Sequence, residues 1–296
     1  MKKLWIRGTL LLAMVVLLAS CGGGNKITIG AQTYTETKLM AYMYKELIED
    51  QTDVKVDVKE DLATSPIVLE GMQKGEIDMS TQYTGTAIAS FEDIETPDDS
   101  DATLEQAREL FGGEDFEFEV LDPLGFANTY AFTVREDIAD EHGFDKVSDL
   151  EGVAEDFSAG FDTAWLERDN DGYPAFKETY GFEFGDTSPM EISLVYDAVK
   201  NDEVDVVLAY STDPRIVAYD LKLLEDDKDF FPPYDAVPTI RQETLDENPE
   251  IEEAIEPLIG AFDEDLIGEL NGKVDLDKED IQEVAIDYLK SQDLIE

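Results

Sequence analysis

The hydrophobic pattern from residue 26 onward alternates between strand-like and helix-like periods. Residues 26–30 alternate apolar and polar side chains, as a half-buried strand does, and end at Gly30. A helical run follows, because its apolar side chains recur three and four positions apart: Leu39, Met40, Met43, Tyr44, Leu47 and Ile48. Residues 54–58 alternate again and predict a second strand.

The same rhythm continues further along the chain. Ser65–Pro66 predicts the start of a helix, since proline is tolerated in the first turn, and the helical pattern runs to Gly75. Residues 77–80 form a short predicted strand, and residues 278–292 carry the amphipathic pattern of a final helix. Strands and helices that alternate at this spacing predict an α/β fold with a largely parallel sheet.

Two segments of the chain resemble each other. Residues 76–83 (EIDMSTQY) and 203–210 (EVDVVLAY) both follow a helix-period stretch, and in each a tyrosine comes five residues after the aspartate, beyond a short strand. Since ligands bind at the carboxyl ends of strands in open α/β sheets, Tyr83 and Tyr210 are predicted to face a ligand at matching places. The pattern favours two similar lobes that face each other, as in a two-lobed binding protein. Chance similarity over so short a segment is the alternative.

The charge of the chain excludes one class of partner. The 296 residues include 71 Asp and Glu against 22 Lys and Arg, a formal net charge of −49, while 43% hydrophobic residues are enough to fill a core. A field of this sign repels nucleic acids, so nucleic-acid binding is excluded. We interpret the acidity as an adaptation to a saline habitat, because the screening length falls to about 3 Å at 1 M salt. A merely solubilising surface is the alternative.

The first residues have the layout of a secretory signal. Basic residues precede an apolar run at 9–19, and Leu18–Cys21 then ends in the only cysteine of the chain. This ending resembles the bacterial lipobox, which implies a signal peptide at 1–20, a lipid-modified Cys21 and a short linker through residue 25. The expected location is the cell membrane, with the domain lipid-anchored on the extracytoplasmic face. An ordinary signal peptide beside a chance cysteine is the alternative.

The residues for most kinds of hydrolytic catalysis are missing. His142 is the only histidine, and its place before Gly143 predicts the last residue of a helix rather than a catalytic base. Ser-His-Asp, Cys-His and HExxH arrangements are therefore excluded, and no glycine-rich phosphate loop predicts a nucleotide cofactor. The chain is predicted not to be an enzyme. The many carboxylates leave a secreted hydrolase of the glycosidase type as an alternative.

One segment nearly matches a calcium-binding loop. Residues 167–178 place Glu167, Asp169, Asp171, Gly172 and Glu178 at EF-hand spacing, but Glu stands at the first position and Pro174 at the eighth. Such matches arise easily in so acidic a chain. We therefore expect a solvated acidic turn and no metal site, with calcium as the alternative.

Several segments in order carry a resemblance to a known family. The sequence resembles the substrate-binding proteins of osmoprotectant ABC importers that take glycine betaine, carnitine and choline. The segments are residues 29–32, 75–78, 83–86, 128–134, 194–200, 208–213 and 230–235. The resemblance implies a two-lobed type II periplasmic-binding-protein fold with a ligand cleft between the lobes. It also implies a cage of tyrosines around the quaternary ammonium head, at Tyr83, Tyr130, Tyr210 and Tyr234.

Physical chemistry favours such a cage independently of the resemblance. A trimethylammonium group has no N–H to donate and keeps its charge at every pH, whereas an aromatic face offers negative potential and apolar contact together. Ordinary core packing is the alternative for any one tyrosine.

For the carboxylate end of the ligand, the resemblance implies Gln32 and Thr86, with Asn128 as a weaker candidate. Some family members carry Asp where Thr86 stands, which suits choline, whereas threonine suits carboxylated ligands. Helix capping is the alternative for Gln32.

The resemblance also implies a chain that crosses twice between lobes. Lobe one is expected to comprise residues 26–127 and 236–296, and lobe two residues 128–235, with crossings near Phe126–Thr133 and 235–239. The expected partners are a quaternary amine ligand and an ABC permease with its ATPase on separate chains. An osmolyte-sensing lipoprotein, or a receptor for another small cationic or zwitterionic solute, is the alternative function.

Overall fold

The computed structural model describes residues 26–89, 99–167 and 172–296. The predicted signal peptide, Cys21 and the linker that follows it lie outside these residues. So does the middle of the candidate calcium loop, residues 168–171.

Strands and helices alternate along residues 26–89, as the sequence predicts, and less regularly in the rest of the described chain, where residues 242–291 are mainly helical. The strands are β1 (Lys26–Gln32), β2 (Lys55–Leu62), β3 (Met79–Tyr83), β4 (Phe118–Val120), β5 (Tyr130–Arg135), β6 (Ser158–Asp162), β7 (Asp186–Met190), β8 (Val206–Tyr210), β9 (Leu221–Leu223) and β10 (Ala236–Arg241). The helices are α1 (Thr35–Gln51), α2 (Ser65–Gln73), α3 (Thr84–Ala89), α4 (Ser100–Phe111), α5 (Glu136–His142), α6 (Thr163–Glu167), α7 (Tyr173–Tyr180), α8 (Ile192–Lys200), α9 (Arg215–Ala218), α10 (Gln242–Glu247), α11 (Glu250–Ile255), α12 (Glu264–Asp275) and α13 (Ile281–Ser291).

The ten described strands form two five-stranded sheets with the same internal plan. The first has the order β2-β1-β3-β10-β4 and the second the order β7-β6-β8-β5-β9. In each sheet the first three strands are parallel, and the last two join by antiparallel pairs. The α/β class is confirmed, but the prediction of a largely parallel sheet was wrong.

The antiparallel strands exist because the chain passes from one sheet to the other. The segment before β5 and the segment before β10 lie side by side, with an antiparallel bridge between Ala127 and Asp235. The Asn128 amide donates to the carbonyl of Tyr234 over 3.3 Å, and the Ala236 amide to that of Phe126 over 3.0 Å. A strand that enters a sheet at the edge where the parallel strands end must run back along them. Local periodicity cannot reveal this reversal.

The two similar sequence segments adopt the same local structure. Asp78 accepts a hydrogen bond from the Thr28 amide over 2.7 Å, and Asp205 accepts one from the Ser158 amide over the same 2.7 Å. Each aspartate therefore ties the start of its strand to the neighbouring parallel strand, β1 or β6. The predicted pseudo-repeat is confirmed in these contacts.

The tyrosines of the repeat differ slightly from expectation. Tyr83 and Tyr210 are the last residues of β3 and β8 rather than residues beyond them. Both strands extend further toward their carboxyl ends than predicted, since Tyr83 still pairs with Ala236 and Tyr210 with Tyr130. The antiparallel partners extend the strands, and the carboxyl-end position of both tyrosines is retained.

Several local predictions are confirmed. Helix α2 begins at Ser65 with proline in its first turn. His142 is the last residue of α5, and Gly143 ends the helix in the left-handed region at a φ of 74°. The final amphipathic helix is α13, whose apolar face is buried and which packs against α1.

We expect the Asp205→Ala variant to lower the free energy of unfolding by roughly 1–3 kcal/mol. The Asp205 carboxylate accepts from both the amide and the hydroxyl of Ser158, over 2.7 and 2.8 Å, and the substitution leaves the amide unpaired between two strands. Urea unfolding followed by circular dichroism measures the change. Glu141→Ala is the matched control, because it removes the same charge from an exposed position on α5. Equal unfolding midpoints for the two variants would contradict the assigned role.

Candidate functional site

The crossing strands bring two predicted tyrosines together. Tyr130 is the first residue of β5 and lies directly opposite Tyr210, the last residue of β8, in the antiparallel register. Their ring centroids are 5.1 Å apart at an interplanar angle of 30°. This contact places both rings at the edge of the second sheet, where its parallel strands end.

A third predicted tyrosine joins them from the other crossing segment. The ring of Tyr234 meets that of Tyr130 edge to face, with centroids 6.5 Å apart at 85°. Phe231 covers another side of Tyr130 at a centroid distance of 5.6 Å. Three of the four predicted cage tyrosines therefore form one aromatic cluster.

Close backbone packing fixes the ring of Tyr234. A Cβ atom on Gly85, in the first turn of α3, would lie 2.4 Å from the carbonyl oxygen of Pro233 and 3.2 Å from the Tyr234 ring. Any side chain at position 85 would push this segment away, because the nearest obstacle is backbone. The glycine after Tyr83–Thr84 therefore lets the segment before β10 pack closely against the end of β3, which sets the position of the Tyr234 ring.

Tyr34 belongs to the cluster, although the sequence analysis did not single it out. It lies between β1 and α1, and its ring meets that of Tyr210 edge to face, with centroids 5.8 Å apart at 77°. It is 39% exposed and so stands at the open side of the group. Its position two residues after the carboxyl end of β1 is the signal that would have found it, since Tyr83 and Tyr210 were selected by the same criterion.

Tyr83 lies beside the cluster and is held by a carboxylate. Its hydroxyl donates to Glu36 Oε1, in the first turn of α1, and its side chain is only 5% exposed. Burial raises the pKa of Tyr83 well above its ordinary value, and the adjacent Glu36 carboxylate raises it further. Tyr83 is therefore a neutral hydrogen-bond donor at ordinary pH.

Glu36 collects hydrogen bonds from elements that surround the site. Besides Tyr83, Asn128 Nδ2 donates to Oε1, while Thr212 Oγ1 and Asn271 Nδ2 donate to Oε2 over 2.7 and 3.1 Å. The Glu36 side chain is 3% exposed. Among the described residues no lysine or arginine forms an ion pair with it, so its four donors are neutral.

The three residues proposed for the carboxylate end of a ligand lie in different surroundings. Gln32 is buried at the end of β1, and its Nε2 donates to Ser65 Oγ over 3.1 Å, so its side chain contacts α2 rather than capping α1. Thr86 is exposed in the first turn of α3. Asn128 lies in the first crossing segment with its Nδ2 on Glu36.

Tyr210 and Tyr34 are also neutral at ordinary pH. Burial raises the pKa of Tyr210, and contact with Tyr130 and Tyr34 raises it further. Burial likewise raises the pKa of Tyr34, with smaller effects from Glu36 and Asp162. The site thus offers uncharged aromatic faces next to one buried carboxylate. This combination attracts a cation that cannot donate hydrogen bonds.

Other kinds of site find no support in the described part of the chain. No group of three or more metal-ligating side chains occurs there, and the candidate calcium loop lies partly outside it. Across residues 26–89, 99–167 and 172–296, no helix is long and apolar enough to cross a membrane.

Comparisons with known proteins identify a family for this chain. The model of a family described as the substrate-binding domain of ABC-type glycine betaine transport systems matches residues 25–291. The carnitine transport binding protein OpuCC of Listeria monocytogenes is 39% identical over an alignment that spans all of this chain and 99% of the relative. A glycine-betaine-binding protein of Pseudomonas aeruginosa is 30% identical, with 98% and 96% of the two chains covered.

A solved structure extends the comparison to the fold. The crystal structure of a glycine betaine/carnitine/choline ABC transporter protein superposes with a TM-score of 0.86 at 34% identity, covering 91% of this chain and 100% of the other. Proteins of this family bind solutes for transporters and are not enzymes. The family match, together with the similarity of sequence and fold, shows that this chain belongs to the family of substrate-binding domains of ABC-type glycine betaine transport systems.

Proposed function

We propose that this protein captures quaternary ammonium osmoprotectants, with glycine betaine and carnitine as the main ligands and choline as a further candidate, and delivers them to an ABC importer. The observation that carries the proposal is the cluster of Tyr34, Tyr130, Tyr210 and Tyr234, to which both sheets and the crossing segment contribute. The relatives named for carnitine and glycine betaine support the same class of ligand.

The proposed cage consists of Tyr83, Tyr130, Tyr210 and Tyr234, with Tyr34 at its open side. Each desolvated contact between a cation and an aromatic face contributes up to about 2 kcal/mol. Part of this is offset by ordering of the protein, so micromolar affinity, about −8 kcal/mol, is reasonable. Such a site is screened by salt far less than an exposed ion pair, which suits uptake from a salty medium.

The carboxylate end of the ligand is assigned to neutral donors. We place Gln32, Thr86 and Asn128 in this role. Their support is their location, since Gln32 ends β1, Thr86 follows β3 by three residues, and Asn128 lies in the crossing segment between the sheets. All three therefore lie near the strand ends that carry the tyrosines.

We further propose that the two lobes comprise residues 26–127 with 236–296, and residues 128–235. The composition of the two sheets supports this division. Ligand in the cleft then stabilises a closed form through contacts from both lobes. The closed form is the one presented to a permease that is driven by an ATPase on separate chains.

The proposal includes an anchor outside the described residues. Lipid on Cys21 keeps the domain at the extracytoplasmic face of the membrane, with residues 22–25 as the linker to the domain. The support is the basic, apolar and small-residue layout that precedes the single cysteine. An anchored receptor stays close to its permease, which raises the rate at which ligand is transferred.

The Tyr210→Ala variant is expected to bind glycine betaine roughly thirtyfold more weakly than the wild type, equivalent to about 2 kcal/mol. The alanine removes an aromatic face that contacts both Tyr130 and Tyr34. Isothermal titration calorimetry in about 1 M salt measures the affinity, and carnitine and choline follow in the same buffer. Tyr42→Ala is the control, because Tyr42 hydrogen-bonds Glu60 over 2.5 Å, away from the cluster. Unchanged affinity in Tyr210→Ala, or no binding of any quaternary amine by folded wild type, would overturn the proposal.

A Thr86→Asp substitution is expected to weaken binding of glycine betaine at least tenfold while choline is affected less, because a second carboxylate repels that of the zwitterion. Titration of the same preparation with both ligands gives the ratio of dissociation constants. Thr86→Asn is the matched control, since it has nearly the same size without the charge. A ratio equal to that of the wild type would remove Thr86 from the site.

The stability of the fold is expected to rise steeply with salt. With 71 acidic and 22 basic residues, repulsion between like charges acts over about 10 Å in 0.1 M salt but over about 3 Å at 1 M. Thermal unfolding at a series of sodium chloride concentrations gives the dependence, and the same series in sucrose controls for a general solute effect. An unfolding temperature independent of sodium chloride would favour the merely solubilising interpretation.

A further inference from the structure

We propose that Glu36 is a positioning and specificity-determining residue of the ligand site. Its carboxylate orients Tyr83 and supplies the negative charge that makes the site prefer a positively charged head group over a neutral group of the same shape. The inference rests on the proposed function and deepens it.

The contacts of Glu36 join the elements that carry the tyrosines. Tyr83 donates to it from the end of β3, Asn128 from the crossing segment, and Thr212 from just beyond β8. Asn271 of α12 donates both to Glu36 Oε2 and to the Thr212 carbonyl, over 3.1 Å each. The carboxylate of α1 therefore connects the first sheet, through β3, with helix α12 and with the end of β8 in the second sheet.

The same two short segments also bring the aromatic rings together. Tyr34 and Glu36 lie two residues apart at the start of α1, and Tyr210 and Thr212 lie two residues apart at the end of β8. Tyr34 contacts Tyr210 through its ring, while Glu36 accepts from Thr212 over 2.7 Å. The Glu36–Thr212 hydrogen bond is consequently adjacent to the Tyr34–Tyr210 ring contact, so formation of one contact favours formation of the other.

Stability alone does not explain a carboxylate at this position. Burying a charge with only neutral donors around it is costly, and stability favours pairing such a charge or replacing it. Among the described residues Glu36 has no cationic partner, although it is 3% exposed. A ligand cation enclosed by the adjacent tyrosines supplies the missing opposite charge.

Glu36 also acts on the ligand through Tyr83. A phenol that donates a hydrogen bond to a carboxylate becomes more electron-rich, so its ring face attracts a cation more strongly. The hydrogen bond additionally fixes the position of the Tyr83 hydroxyl beside Glu36. Loss of the charge is therefore expected to weaken cation binding even if the shape of the site is unchanged.

The test compares two ligands of the same shape in the Glu36→Gln variant. Glycine betaine carries a trimethylammonium head, and 3,3-dimethylbutanoate carries a tert-butyl group in its place with the same carboxylate. Dissociation constants come from calorimetric titration, with displacement of glycine betaine for the weaker ligand. Glu60→Gln is the matched control, because Glu60 also accepts from a tyrosine hydroxyl, that of Tyr42 over 2.5 Å, and its loss removes the same charge.

We expect Glu36→Gln to reduce the preference for glycine betaine over 3,3-dimethylbutanoate roughly tenfold, and Glu60→Gln to leave it unchanged. A purely structural role for Glu36 would weaken both ligands equally and keep the preference, which would overturn the inference. If displacement by 3,3-dimethylbutanoate is too weak to measure, a double-mutant cycle with glycine betaine alone decides. The effect of Glu36→Gln should then be smaller in a Tyr83→Phe background, and strict additivity would overturn the part of the inference in which Glu36 acts through Tyr83.

Failure of the inference is separate from failure of the proposed function. If folded wild-type protein binds no quaternary amine, the proposed function is wrong, and no preference for glycine betaine over 3,3-dimethylbutanoate can be measured. If the wild type binds glycine betaine and the Glu36→Gln variant retains its full preference and additivity, only the role of Glu36 is wrong. Circular dichroism of each variant confirms that both comparisons are made on folded protein.

Discussion

The site depends on the antiparallel return of the chain each time it passes between the sheets. A strand that enters a sheet at the edge where the parallel strands end begins beside their last residues. The first residue of the antiparallel strand therefore lies opposite the last residue of the neighbouring parallel strand. This places Tyr130 opposite Tyr210 and Ala236 opposite Tyr83. Hydrogen-bond register, rather than loop flexibility, therefore sets the positions of these strand ends.

Around this framework the aromatic and polar contacts reinforce one another. Tyr34 and Tyr210 meet through their rings, while Glu36 gathers donors from the same segments. Neutral donors satisfy the carboxylate without cancelling its charge, which leaves a negative potential beside uncharged phenol rings. Because these contacts are buried, surrounding salt screens them weakly, whereas the strongly acidic surface is screened fully. The proposed salt dependence of the fold is therefore compatible with a proposed ligand site that salt affects little.

The pseudo-repeat shows how two similar halves acquire different roles. Asp78 and Asp205 make the same contact with a neighbouring strand, so the local framework of both sheets is alike. The residues at the strand ends then diverge in their surroundings. Tyr210 lies among other aromatic rings, whereas Tyr83 faces the Glu36 carboxylate. The shared framework therefore places the two tyrosines at matching strand ends, and their different neighbours distinguish them.

The sequence by itself determined the α/β class, the positions of β1, β2, β3, α1, α2 and α13, the matching ends at Tyr83 and Tyr210, and the helix end at His142, because each follows from local periodicity or from a short pattern. It did not determine the antiparallel strands, the membership of Tyr34 or the surroundings of Glu36. Those depend on contacts between residues far apart in the chain, such as Glu36 with Thr212 and Asn271. Only the tertiary structure decides them, since no local pattern records which distant donors will meet a buried carboxylate.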